Sequence, residues 1–112
     1  MNFETLPGFD NHEMLSSFFD EKTGVRGIIA IHNTNLGPAT GGTRYATYDS
    51  EEEAIIDALK LSQAMTYKCA LAGVPYGGGK GIIIADGKKQ KTSAMLRSYA
   101  NKVNSLEGKF TT

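Results

Sequence analysis

Two lysines carry the reactive chemistry that this sequence can offer. Lys80 is set among glycines, Gly77-Gly78-Gly79 before it and Gly81 after it, directly ahead of the apolar run Ile82-Ile83-Ile84. Glycine costs backbone entropy, about 0.5–1 kcal/mol per position relative to alanine in regular structure. A run of it implies backbone brought close to a ligand, with no side chains crowding the lysine. A desolvated lysine with a second cation nearby has its charge disfavoured, and its amine can then act as a general base near neutrality. The plainer reading is a glycine-rich surface turn with a solvated lysine. Lys68 follows Ala54, Ala58, Leu61 and Met65 at helical spacing. It is either an ammonium held at a cleft edge to bind an anion such as a carboxylate, or a helix-end lysine that complements the dipole and reaches solvent.

The glycine segment invites comparison with phosphate loops, and it fails both. A Walker A loop needs glycine where Val74 stands and serine or threonine where Gly81 stands. A dinucleotide fingerprint needs glycine at Ile82 and should follow a strand and open a helix, whereas these glycines precede a strand. Gly41-Gly42 is a second place where backbone can approach a ligand, with a β-bulge as the alternative. Arg44 could be structural or bind an anion. His12 and His32 have no metal-ligand spacing with Cys69 or with acidic pairs, so they read as packing or surface histidines. Cys69, beside a helix end, reads as an inert, half-buried thiol.

The elements that must position these residues follow from pattern. Residues 1 to 12 are irregular or a short helix. Met14 to Phe19 and Val25 to His32 read as strands joined by the turn Glu21-Lys22-Thr23-Gly24, with Gly24 supplying a positive φ. Ala39 to Thr47 reads as a strand containing Gly41-Gly42. Ser50-Glu51-Glu52-Glu53 has capping-box spacing and opens a helix from about Glu51 to Tyr67, with Ala54, Ala58, Leu61 and Met65 as its core stripe. Ile82 to Ala85 is a buried strand and Asp86-Gly87 a turn. A last helix runs from about Thr92 to Ser105, with Leu96, Tyr99, Val103 and Leu106 on one face. The expected fold is a single α/β domain with a mixed sheet, an N-terminal hairpin plus further strands, packed by helices.

Composition bounds the rest. At 112 residues the chain is one domain at most. Twelve Lys plus Arg balance twelve Asp plus Glu, which removes the usual electrostatic basis for nucleic-acid or membrane-surface partners. The single cysteine points to a reducing compartment. No signal-like start and no long apolar run are present, so a soluble, cytoplasmic protein is expected. The chain stops at Lys109-Phe110-Thr111-Thr112, after a helix and without a closing element, as a truncated domain would.

Three segments carry a family resemblance. Leu36-Gly37-Pro38-Ala39-Thr40-Gly41-Gly42-Thr43-Arg44 resembles the LGPAxGGxR strand of the leucine, valine and phenylalanine dehydrogenases. Met65-Thr66-Tyr67-Lys68 is similar to their MTYK segment, and Gly77-Gly78-Gly79-Lys80 to their GGGK. Order and spacing agree, from about the hairpin to the last residue.

The resemblance implies a first domain of residues 1–112 that binds substrate and builds a homo-oligomer, truncated before a Rossmann domain that binds NAD. It implies reversible oxidative deamination of an aliphatic or aromatic L-amino acid to its 2-oxo acid and ammonia. Lys68 would hold the substrate carboxylate, with the Gly41-Gly42 backbone lining the same site. Lys80 would be the general base that activates the water attacking the imine. Met65 would lie close to the substrate, and Thr40 would face its side chain. The leucine-type enzymes favour an apolar residue at Thr40, and the related glutamate dehydrogenases carry a lysine there, whose absence argues against glutamate. The family's catalytic aspartate lies beyond a GxxxT stretch resembling Gly108 to Thr112, so it is outside this sequence, as is any cofactor-binding residue. The competing reading is a stand-alone oligomerisation or amino-acid-binding module without catalysis.

Overall fold

A computed structural model describes residues 2–85 and 92–112; the expected Asp86-Gly87 turn lies outside them. A 3-10 turn, Phe3–Thr5, precedes a hairpin of β1 (Met14–Asp20) and β2 (Val25–Asn33), turned by Gly24 at φ 76°. Short strands β3 (Ala39–Thr40) and β4 (Thr43–Ala46) come next, then helix α1 (Glu51–Ala72), strand β5 (Gly77–Ile84), helix α2 (Ser93–Asn104) and strand β6 (Phe110–Thr111). The sheet order is β1-β2-β5-β3-β6, with β4 also on β5. The β1–β2 and β2–β5 pairs are antiparallel; β3 and β4 run parallel to β5. This is the expected α/β domain with a mixed sheet.

Alternation along the strands divides the core between two layers. Ile28, Ala30 and Ile82 join Ala54, Ile55, Ala58 and Leu59 of α1 on one face. Val25, Ile29, Ile31 and Ile83 join Met95 and Tyr99 of α2, with Phe110, on the other. Ile28, Ile29, Leu59, Ile82 and Ile83 are fully buried, each stabilising the fold by about 1.5–3 kcal/mol.

Four expectations need correction. The glycines do not merely precede a strand: β5 starts at Gly77, so Lys80 is a mid-strand residue. Helix α1 runs on to Ala72, ending where Gly73 takes the left-handed conformation at φ 71°; Lys68 is therefore not in its last turn. The buried stripe of α1 is Ala54, Ile55, Ala58, Leu59, Ser62 and Cys69, which leaves Leu61 and Met65 on its half-buried flank. In α2 the buried position is Met95, while Leu96 is 41% exposed. The chain end also forms an element, since Phe110 and Thr111 pair in parallel with Ala39 and Thr40. At the start of α1, Ser50 Oγ accepts from Glu53 N at 3.2 Å, half of the expected capping box.

The expected strand Ala39 to Thr47 is interrupted at Gly41-Gly42, yet it is not bulged. The pairs Ala39↔Gly77 and Thr43↔Gly81 keep one register across the break. A bulge would have shifted it by a residue.

Candidate active site

The shared register sets Gly41 against Gly79 and Gly42 against Lys80. Even-numbered residues of β5 face α1: a Cβ on Gly78 would fall 2.2 Å from Thr66 N, and Ile82 packs with Ala58 and Leu59. Lys80 therefore projects to the α1 side, half-buried. Its Nζ lies 3.4 Å from the place a Cβ on Gly42 would take. Gly41 is closer still to its neighbours, with Gly79 O at 1.8 Å and Met65 Cγ at 3.5 Å from its would-be Cβ. Thr40, opposite Gly78, lies on the same face by alternation. Lys80, Gly41, Gly42, Met65 and Thr40 thus lie together where β3–β4 meet α1.

Lys68 is exposed on α1, within electrostatic reach of Lys80. Helical spacing puts Asp57, Leu61, Met65 and Lys68 along one flank of the helix, spanning ~16 Å at 1.5 Å per residue. Burial pushes the Lys80 amine below the usual lysine range. The Arg44 cation pushes it the same way, the Asp57 carboxylate opposes, and the Lys68 cation lowers it further. The Lys68 cation therefore lies within electrostatic reach of Lys80, and a partly desolvated amine is biased towards its neutral, proton-accepting form.

Sequence reasoning left Arg44 open and missed its partner. Arg44 Nη1 donates to Asp57 Oδ2 at 2.9 Å, and Tyr48 OH donates to the same oxygen. Asp57 lies on the same helical flank as Met65 and Lys68, but that spacing does not point to Arg44 as its partner. On the opposite face, Tyr99 OH reaches across Gly81 to Thr43 Oγ1 at 2.7 Å, which pins β4 and β5 against α2.

The two histidines are buried packing groups. His32 Nδ1 meets Thr66 Oγ1 at 2.7 Å and its Nε2 meets Asp10 Oδ2 at 2.9 Å. His12 stacks edge-on to it, ring centroids 4.6 Å apart. Asp10 N donates to His12 Nδ1 at 3.0 Å, so the proton of His12 is on Nε2, 2.7 Å from Leu59 O. Cys69 is fully in the core at 5% exposure, not half-buried, its thiol directed at Gly77 O.

The glycines of β5 are filled by protein: Gly78 by α1 backbone, Gly79 by Phe110, Gly81 by Tyr99. They leave no cradle for a dinucleotide pyrophosphate along this strand.

The fold defines the class: an α/β domain whose mixed sheet carries a lysine within a glycine strand on the side of a long helix. The comparisons place it further. Residues 13–112 match the family described as Glu/Leu/Phe/Val dehydrogenase, dimerisation domain, and the chain belongs to that family. It is 49% identical to a phenylalanine dehydrogenase of Caldalkalibacillus thermarum over 100% of this chain and 30% of that protein. It is 52% identical to a leucine dehydrogenase of Geobacillus stearothermophilus over 98% of this chain and 30% of that protein. The crystal structure of L-tryptophan dehydrogenase from Nostoc punctiforme aligns with a TM-score of 0.85 at 48% identity, covering 89% of this chain and 30% of that one. The chain thus spans about 30% of the length of these relatives.

Proposed function

We propose that this chain is the substrate-binding and assembly domain of an NAD-dependent dehydrogenase that reversibly deaminates an aliphatic or aromatic L-amino acid to its 2-oxo acid and ammonia. The observation that carries this reading is the half-buried Lys80 amine, held over bare Gly42 backbone within electrostatic reach of the Lys68 cation. An amino-acid zwitterion needs a cation for its carboxylate and a neutral amine for proton transfer. Lys68, exposed on α1, supplies the first. Lys80, biased to its neutral form, takes the proton of the water that attacks the substrate imine carbon. The Gly41-Gly42 backbone and Met65 shape the wall beside the reacting carbon, and Thr40 faces the substrate side chain. NAD would be held by a domain outside this chain.

Assembly into a homo-oligomer is part of the same reading, supported by the family's description as a dimerisation domain. No helix among the described residues is long and apolar enough to cross a membrane, and the expected setting is the cytoplasm. The decisive experiment extends the gene product through the cofactor domain and follows NADH formation with leucine, valine, isoleucine and phenylalanine. Turnover is expected with at least one, and Lys80→Ala lowers kcat severely. No turnover with any of them, or an unchanged kcat in Lys80→Ala, overturns the assignment.

A further inference from the structure

Lys80 has a carboxylate within electrostatic reach that does not pair with it. Gly42 and Arg44 are alternate residues of one strand edge, so both face the α1 side of the sheet, about 7 Å apart at 3.3–3.4 Å per residue. Lys80 Nζ fills the space over Gly42, and Arg44, opposite Ile82, is the next side chain along. Asp57 reaches down from α1 to this spot, and its Oδ2 is already taken by Arg44 Nη1 and Tyr48 OH. Among the described residues the ion pairs within 4.0 Å are Arg26–Glu51, His32–Asp10 and Arg44–Asp57; Lys80 is in none. Among the described residues, the charged groups that act on Lys80 are Asp57 and Lys68 from α1 and Arg44 from β4; Tyr48, from the β4–α1 connection, is bonded to Asp57, and His32 lies on the neighbouring strand β2. The ring of His32 is engaged by Thr66 and Asp10.

We propose that the Arg44–Asp57–Tyr48 cluster is a positioning device for Lys80: it commits Asp57 to other donors, denies Lys80 a counterion, and keeps a guanidinium beside its amine. The role rests on Lys80 as the proton-accepting base of the proposed reaction. The direction of each contribution agrees with the geometry, since after burial the Arg44 charge is the largest influence lowering Lys80, and Asp57 opposes it. An isolated Lys80–Asp57 pair would stabilise the ammonium and weaken the amine as a base.

Opposite signs make the test specific. Competitive acetylation of the chain across pH, read by mass spectrometry on the peptide carrying Lys80, reports the titration midpoint of that amine without any turnover. Arg44→Met removes the cation and frees Asp57, so the midpoint rises; Arg44→Lys restores it towards the parent value. Asp57→Asn removes the opposing carboxylate while the guanidinium stays, so the midpoint falls. Tyr48→Phe frees one lone pair of Asp57 and shifts the midpoint up, by less than Arg44→Met. A merely structural cluster would move every variant upward, towards a solvated lysine. An unmoved midpoint in Arg44→Met, or a rise in Asp57→Asn, overturns the proposal, and a variant that fails to fold leaves the others to decide. In the extended enzyme the acid limb of kcat/KM follows the same directions. A Lys80→Ala enzyme with intact kcat overturns the base assignment and the positioning role with it. Unmoved midpoints beside an inactive Lys80→Ala enzyme overturn the positioning role alone.

Discussion

The Nζ of Lys80 lies 3.4 Å from the point where a Cβ on Gly42 would stand, and among the described residues, chain neighbours aside, nothing else approaches that point within 4 Å. The glycine therefore leaves open space occupied by one amine and is not a packing necessity. Gly42→Ala should leave the thermal transition within a few degrees of the parent, because the added methyl meets only the end of a flexible side chain and alanine restricts the unfolded chain slightly. In the extended enzyme it should lower kcat about 10- to 100-fold by displacing the amine from its working position. A variant with parent kcat would show that the amine does not work from this place.

Its neighbour behaves differently. A methyl on Gly41 would lie 1.8 Å from Gly79 O and 2.8 Å from Gly79 C, and backbone in the middle of a sheet cannot step aside. Gly41→Ala should cost stability at the top of the usual overpacking range, about 3 kcal/mol, read as a lowered urea midpoint. A midpoint equal to that of Gly42→Ala would contradict the close approach of these two strands.

That contrast also explains what the sequence could and could not disclose. The hairpin, both helices and the apolar strand are periodic, and they emerged with ends displaced by a few residues. The first half of β5 has no period, since Gly77-Gly78-Gly79 carries no side chains, and only burial against α1 and Phe110 makes it strand. The end of α1 was missed because the apolar pattern fades before Gly73, and Leu71 is 90% exposed. Met95 displaced Leu96 as the buried position of α2 because the two are adjacent and equally apolar, and only the docking angle chooses between them. The lysines and glycines of the site were legible as residue types. The Arg44–Asp57 pair was not, because it joins a strand to a helix by a contact that spacing within either element cannot reveal.

His12 gives the fold a pH dependence of known sign. Burial lowers its pKa from 6.5, its hydrogen bond to Leu59 opposes, and His32 adds to the lowering. Its Nδ1 accepts from Asp10 N, a bond that protonation destroys. As pH falls through 6.5 the unfolded chain takes up this proton before the folded chain does. The contribution is therefore complete above 6.5 and is progressively lost below it. Thermal melts at pH 7.5 and 5.5 should show a drop in Tm that is smaller in His12→Gln. Equal drops in the two proteins would assign the acid sensitivity elsewhere.

Tyr99 tests the other face of the sheet. Its hydroxyl meets Thr43 Oγ1 at 2.7 Å, while Thr43 Oγ1 also meets Thr112 Oγ1 at 2.8 Å. Tyr99→Phe removes one bond and leaves Thr43 with a partner, so the loss is about 1 kcal/mol, or roughly 4–8 °C in Tm for a domain of this size. A Tm unchanged within error would mean that α2 is held by Met95 and the phenyl ring alone.

Lys68 should separate binding from chemistry. It is exposed on α1, and in the proposed reaction its ammonium touches the substrate carboxylate in ground state and transition state alike. Removing such uniform binding raises KM and spares kcat. A charge-assisted hydrogen bond is worth about 1.5–3 kcal/mol, so Lys68→Ala in the extended enzyme should raise KM for the amino acid about 10- to 100-fold. The same change should leave binding of the corresponding amino-acid amide, which has no carboxylate, nearly unaltered. It also removes one of the cations that lower Lys80, so the acid limb of kcat should move to higher pH. A fall in kcat at its pH optimum with KM unchanged would instead place Lys68 in the proton-transfer step.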